Sequence, residues 1–254
     1  MPTLDRDGVR LYYESHGDGP ALLLSHGFGA TSQMWRGQIE ALSRSHTLIV
    51  WDMRGHGASD SPDDPAAYSE AASVADMAAV LDAAGAKRAI VGGLSLGGYM
   101  SLAFHLTHPE RVRALLMIDT GPGFRKAEAR EAWNARALRT AARFESEGLA
   151  PLARAGVEAR AGAHRSAHGL ALAARGMLAQ RDGRVIDSLP TIAVPALVVV
   201  GADDAPFLAA ADYMAAKIPG AKKLVIPGAG HAANIDQPAA FNAAVLDFLS
   251  SSLP

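Results

Sequence analysis

The chain has 254 residues, 49% of them hydrophobic, a formal net charge of −2 and no cysteine. That length can bury a large core in one α/β domain; disulfides, thiolate metal sites and cysteine nucleophiles are excluded, and with no basic tract nucleic acid has no electrostatic foothold. The start, MPTLDRDGVRLYY, lacks the basic-then-apolar order of a signal peptide, and no apolar run nears the roughly 20 residues that span a bilayer, so a cytoplasmic protein without membrane or nucleic-acid partners is expected.

In chain order, RLYYES predicts an antiparallel edge strand. The apolar runs Ala21–His26, Thr47–Asp52, Ala89–Gly93, Arg113–Asp119, Ala196–Asp204 and Lys223–Gly228 follow as further strands. Their apolarity is continuous rather than alternating, as in parallel strands covered on both faces. Alanine-rich amphipathic stretches at Ser32–Ser43, Ser69–Ala84, Leu96–His108, Phe207–Lys217 and Pro238–Ser250 predict the covering helices. Strand and helix in turn argue for a mostly parallel, doubly wound α/β sheet with right-handed crossovers. The rhythm breaks between Gly121 and Leu189, where only helical stretches occur. Residues 1–120 and 190–254 are therefore expected to form the core, and 121–189 a helical cap inserted between two of its strands.

Gly93-Leu94-Ser95-Leu96-Gly97 joins an apolar strand to a helix and fits G-x-S-x-G. A sharp turn there lifts the Ser95 hydroxyl out of the sheet, and the flanking glycines give it room. A serine needs a base, and the base needs a carboxylate to orient it. Among nine histidines only His231 lies beyond the strand ending VVVGADD, in the loop GAGHAANIDQP before the last helix. For the acid, Asp204 is favoured over its neighbour Asp203, with Asp119 of MIDTG as the runner-up. An oxyanion hole needs two converging N–H groups; Leu96 at the helix start and Phe28 in SHGFG can supply them. His164 and His168 share a spacing with metal-ligand pairs but lack a third ligand, and GPGFRK lacks phosphate-loop spacing, so neither metal nor cofactor is expected.

The motifs HGFGATSQMW, WDMRGHGASD, GLSLGG, VVVGADD and IPGAGHAANIDQP, in this order, resemble those of the α/β-hydrolase superfamily over nearly the whole chain. Within it the chain is most similar to the small-capped esterase, enol-lactonase and cofactor-free perhydrolase group. The resemblance implies Ser95 as nucleophile, Asp204 as acid, His231 as base, and Phe28 and Leu96 as oxyanion donors. Asp52, Arg54 and His56 would be architectural. The implied activity is hydrolysis of a small-molecule ester or lactone. Alternatives are a perhydrolase or carbon–carbon bond hydrolase on the same triad, or a slow ligand sensor. Met100, Phe124, Trp133, Phe144, Met177 and Phe207 are candidates to line an apolar pocket. Residues 121–189 carry 12 Lys and Arg against 7 Asp and Glu. That balance is read chiefly as solvated helix faces, and secondarily as a lure for carboxylated substrates.

Overall fold

A computed structural model describes residues 3–252. Eight strands form one sheet: β1 (Thr3–Arg6), β2 (Val9–His16), β3 (Ala21–Ser25), β4 (Thr47–Trp51), β5 (Ala89–Leu94), β6 (Val112–Ile118), β7 (Ala196–Gly201) and β8 (Lys222–Ile226). Their spatial order is β1-β2-β4-β3-β5-β6-β7-β8. β1 pairs with β2, and β2 with β4, antiparallel; all later pairs are parallel. RLYYES thus lies in an antiparallel strand that is not the edge, because Thr3–Arg6 pairs outside it. β1 is only four residues long, with partly exposed side chains and no apolar run, so it carries no strand signal of its own.

Among the described residues the α-helices are α1 (Arg36–Leu42), α2 (Glu70–Ala83), α3 (Leu96–Thr107), α4 (Ala127–Glu147), α5 (Val157–Arg160), α6 (Ala167–Ala173), α7 (Arg184–Ser188), α8 (Ala205–Lys217), α9 (Ala233–Asp236) and α10 (Pro238–Ser252). Their starts are read locally. The Ser69 hydroxyl accepts from Ala72 N–H at 3.0 Å to cap α2, and that of Ser166 accepts from Gly169 N–H at 2.9 Å to cap α6, each satisfying an amide that has no intrahelical partner. The helix expected from Ser32 opens instead with a tight 3₁₀ turn, Ser32–Trp35, and becomes α-helical at Arg36. Strand β7 ends at Gly201, short of Asp204, because the Asp204 carbonyl already accepts from Phe207 N–H at 2.9 Å to begin α8.

Both faces of the sheet are covered, and alternation along each strand divides the apolar runs between them. Leu23, Ile49, Val91, Met117 and Val198 join one core with residues of α2, α3 and α8. Leu22, Leu24, Val50, Ile90, Leu116 and Val199 join the other with Trp35, Phe241 and Phe248. Burying each such side chain contributes about 1.5–3 kcal/mol before entropy is charged against it. Between β6 and β7 every regular element among the described residues is helical, the 21-residue α4 being the longest.

The strand order also decides where loops gather. β3 lies between β4 and β5, so the connection leaving β3 runs to one side of the sheet and the one leaving β5 to the other. The crevice between diverging loops lies above the carboxyl ends of these two strands, the general position for ligands in open α/β sheets. Register puts Ser25 of β3 beside Gly93 of β5.

Candidate active site

Ser95 occupies the turn between β5 and α3 with φ 53° and ψ −114°. A side chain in that region is strained, and the surroundings over-determine it. Ser95 N–H donates to the Ile118 carbonyl at 2.9 Å, and its own carbonyl accepts from the Thr120 hydroxyl at 2.6 Å. Space forces the neighbours to be glycine. A Cβ on Gly93 would lie 2.5 Å from the Ser25 carbonyl oxygen, and one on Gly97 would collide with that same atom. The turn therefore folds only in a strand-to-helix connection with small residues on both sides.

The imidazole and carboxylate come from the next strands. Asp204, at the start of α8 after β7, is buried, with 5% of its surface exposed. His231 follows β8 in the loop before α9, and its Nδ1–H donates to Asp204 Oδ2 at 2.8 Å. That bond leaves Nε2 as the free acceptor of the neutral ring. Burial alone would depress the His231 pKa, but the hydrogen bond and charge of Asp204, with smaller contributions from Asp119 and Glu158, hold it above 6.5. Phe207 stacks on the ring at 4.9 Å. Ser95 and His231 line one cavity; among the described residues no hydrogen bond joins them, the loose pairing common before substrate binds.

The other two aspartates are placed differently. Asp203 is exposed, and its N–H donates to the Ala229 carbonyl at 2.9 Å. Asp119 is fully buried with φ 45°. Its Oδ1 accepts from Gly201 N–H at 2.7 Å and its Oδ2 from Ala233 N–H at 3.2 Å. Burial pushes its pKa up to about 7 despite those two bonds. Asp119 thus ties the end of β7 to the loop carrying His231 without touching the imidazole nitrogen that Asp204 engages.

Around Ser95 the N–H groups of Phe28 and Leu96 donate to no other protein group among the described residues, leaving both available to a developing negative charge. The loop before Phe28 is braced from beneath. His26 donates through Nδ1 to the Gly27 carbonyl at 2.7 Å and accepts from Met53 N–H through Nε2 at 2.9 Å. Asp52 accepts from Ser32 N–H at 2.7 Å and Ala58 N–H at 2.8 Å. Arg54 forms a buried pair with Asp76, Nη2 to Oδ1 at 2.6 Å, and His56 packs its ring edge-on to Phe28 at 5.5 Å.

A cavity of about 300 Å³ opens over Ser95, and a smaller lobe of about 160 Å³ reaches His231 and Phe28. Phe124, Trp133, Met177 and Phe207 line the larger one. Met100 does not: it is wholly buried on the sheet side of α3, while its neighbour Tyr99 faces the cavity. Phe144 does not either. It lies two turns beyond Arg136 on α4, packing on Phe28 at 6.0 Å and lining a separate recess. The sequence reading missed Tyr99, Arg136, Leu178 and Gln180, because helical spacing gives a stripe but not which stripe faces the hole. Five of the eleven arginines of residues 121–189 form ion pairs among the described residues, as Arg175 with Glu145 at 2.8 Å and Arg125 with Asp187 at 2.5 Å. Arg136 forms no ion pair among the described residues, lies 5.8 Å from the Trp133 ring centroid, and lines both lobes. His164 and His168 do not converge: His164 contacts two core loops, while His168 is exposed 3.9 Å from Asp63.

An eight-stranded, mostly parallel sheet with a serine elbow at its switch point defines an α/β-hydrolase. The family model for the alpha/beta hydrolase fold matches residues 20–182. The chain belongs to the α/β-hydrolase family, and with that membership goes a hydrolytic role. It is 31% identical to 3-oxoadipate enol-lactonase 2 of Acinetobacter baylyi over 96% of this chain and 94% of that protein. A putative carbamate hydrolase of Azorhizobium caulinodans is 43% identical, over 47% of this chain and 44% of its own length. A thermophilic esterase from Thermogutta terrifontis, solved with malate bound, superposes with TM-score 0.87 at 30% identity, covering 99% of this chain and 97% of that one. No helix among the described residues is long and apolar enough to cross a membrane.

Proposed function

We propose that this chain hydrolyses a carboxylic ester or lactone through Ser95, His231 and Asp204, with residues 121–189 as a cap over a core of residues 1–120 and 190–254. The observation that carries the reading is the 2.8 Å bond from His231 to buried Asp204, in the cavity wall that also holds the strained Ser95. The esterase and the enol-lactonase among the relatives act in the same chemical range.

Ser95 Oγ attacks the carbonyl carbon while its proton passes to His231 Nε2. The imidazolium so formed faces the Asp204 carboxylate, and the carbonyl oxygen, now anionic, receives the Phe28 and Leu96 N–H groups. His231 returns the proton to the leaving alkoxide as the carbon–oxygen bond breaks. A water then attacks the acyl-serine with the same base, releasing the acid and restoring Ser95; for a lactone the leaving hydroxyl stays tethered to the acyl chain, and the product is a hydroxy acid. The larger cavity suits a short acyl chain, because its wall is apolar apart from a few groups.

Ser95→Ala tests the proposal on p-nitrophenyl acetate, p-nitrophenyl butyrate and a γ-lactone. Loss of kcat by at least about 10³-fold is expected, since deleting a nucleophile typically costs more than that. Activity surviving the substitution removes Ser95 from the reaction.

A further inference from the structure

Residues 162–169, the end of the α5–α6 connection and the first residues of α6, lie directly on two core loops. A Cβ on Gly162 would run into the Thr31 side chain, and one on Gly169 would lie 2.5 Å from the Ser61 hydroxyl. Arg165 donates to the Ala58 carbonyl at 3.2 Å. At the centre of this contact is His164, which bonds through both ring nitrogens. Nε2–H donates to the Gly29 carbonyl at 2.8 Å, and Nδ1 accepts from Gly57 N–H at 3.2 Å. The two bonds specify one tautomer of the neutral ring, because a proton on Nδ1 would face the Gly57 N–H. Burial lowers the His164 pKa, in keeping with that form.

Gly29 follows Phe28, whose amide is one of the two oxyanion donors in the proposed mechanism. Gly29 has φ 73°, and the turn is closed by Ala30 N–H donating to the Gly27 carbonyl at 3.1 Å. The turn leaves the Gly29 carbonyl pointing toward His164. The His164 ring in turn packs edge-on to His56 at 5.8 Å, and His56 packs on Phe28 at 5.5 Å. One side chain from the helical segment therefore fixes both the backbone and the packing of the loop that presents the Phe28 amide.

We propose that His164 is a positioning residue: by bridging the Gly29 carbonyl and the Gly57 amide, it sets the Phe28 N–H at the oxyanion and couples the seating of the helical segment to the chemical step. The proposal rests on the Ser95 mechanism above. A donor held out of place forfeits part of what its deletion costs, and deletion of one donor typically costs about 10²–10³-fold in kcat. His164→Ala should then lower kcat on p-nitrophenyl acetate by roughly tenfold. His164 lines neither lobe of the cavity, so KM should stay within about twofold.

The readout that separates positioning from general packing is affinity for phenylboronic acid, whose tetrahedral adduct on Ser95 carries the negative charge that the donors meet. Its inhibition constant should rise by about the same factor as kcat falls. His164→Gln keeps a donor able to reach Gly29 and should recover most of the loss; His164→Asn, one methylene shorter, should not. If His164→Ala fails to fold, the Gln and Asn pair decides the matter alone. Unchanged kcat in the Asn variant, equal loss in Asn and Gln, or a fall in kcat with boronate affinity intact overturns the proposal. If Ser95→Ala remains active, the mechanism itself fails, a result distinguishable from any of these.

Discussion

Asp204→Asn isolates the charge behind the imidazole. The substitution keeps size and shape but removes the negative charge 2.8 Å from His231 Nδ1. A unit charge pair at that distance in an effective dielectric near 20 interacts by about 6 kcal/mol. The imidazole side chain is 33% exposed, so solvent screening reduces the figure to roughly 4 kcal/mol, or about 10³-fold in kcat. The amide can also turn its NH₂ toward Nδ1 and favour the wrong tautomer, which drives the loss higher. The assay is steady-state hydrolysis of p-nitrophenyl butyrate between pH 5 and 9. In the native protein the acid limb of kcat/KM should lie above the ordinary imidazole value of 6.5, since Asp204 raises the His231 pKa. In the variant burial acts with much less opposition, and that limb should move to lower pH. Stability shifts in a matching way. A histidine with a raised folded pKa stabilises the fold fully below its unfolded pKa, and that stability is lost as pH rises through the folded value. Asp204→Asn should therefore cost more in Tm at pH 6 than at pH 9. A fall in kcat of less than tenfold, or an acid limb that stays put, would refute the charge argument.

Two further outcomes follow from the surroundings. Asp76→Asn strands Arg54 in the core, where Asp76 accepts from both Arg54 and Arg6; a loss of about 3–5 kcal/mol is expected, and a Tm within two degrees of the native protein would show the pair to be energetically idle. Arg136→Gln should lower kcat/KM for p-nitrophenyl hemisuccinate about tenfold, the loss of one charge-assisted bond, while leaving p-nitrophenyl butyrate unchanged; an equal change on both esters would show that Arg136 does not read charge.

How far the sequence could be read depended on whether the signal was local. The elbow needs only a strand, a helix and small residues around one serine, all contiguous, so Ser95 stands out. His231 is marked by its position after the last long strands. Asp119 and Asp204 each close an apolar strand, so Asp119 stood as runner-up to the favoured Asp204. The hydrogen bonds show why they differ: two backbone amides claim the Asp119 carboxylate after β6, while the Asp204 carboxylate after β7 meets the imidazole. The pocket was half legible for a related reason. Met100 and Tyr99 are neighbours on α3, about 100° apart around the helix; Tyr99 borders the cavity while Met100 is wholly buried, and the rotation that decides this is fixed by Gly97 packing on β3 and Gly98 on Thr120, contacts that cross the chain. Arg136 and Gln180 depend on how α4 lies on residues 178–180, where Trp133 and Asn134 hydrogen-bond to backbone carbonyls. The placement of β3 between β4 and β5 leaves no trace in composition.

The Ser25 carbonyl oxygen abuts both Gly93 and Gly97, and three residues later the same chain presents Phe28. The proposed nucleophile and anion trap are thus wedged on a shared pivot: shifting either backbone drags the other with it. Retuning the cavity for bulkier groups should therefore leave that joint alone and vary the wall that residues 121–189 supply, at Phe124 and Met177.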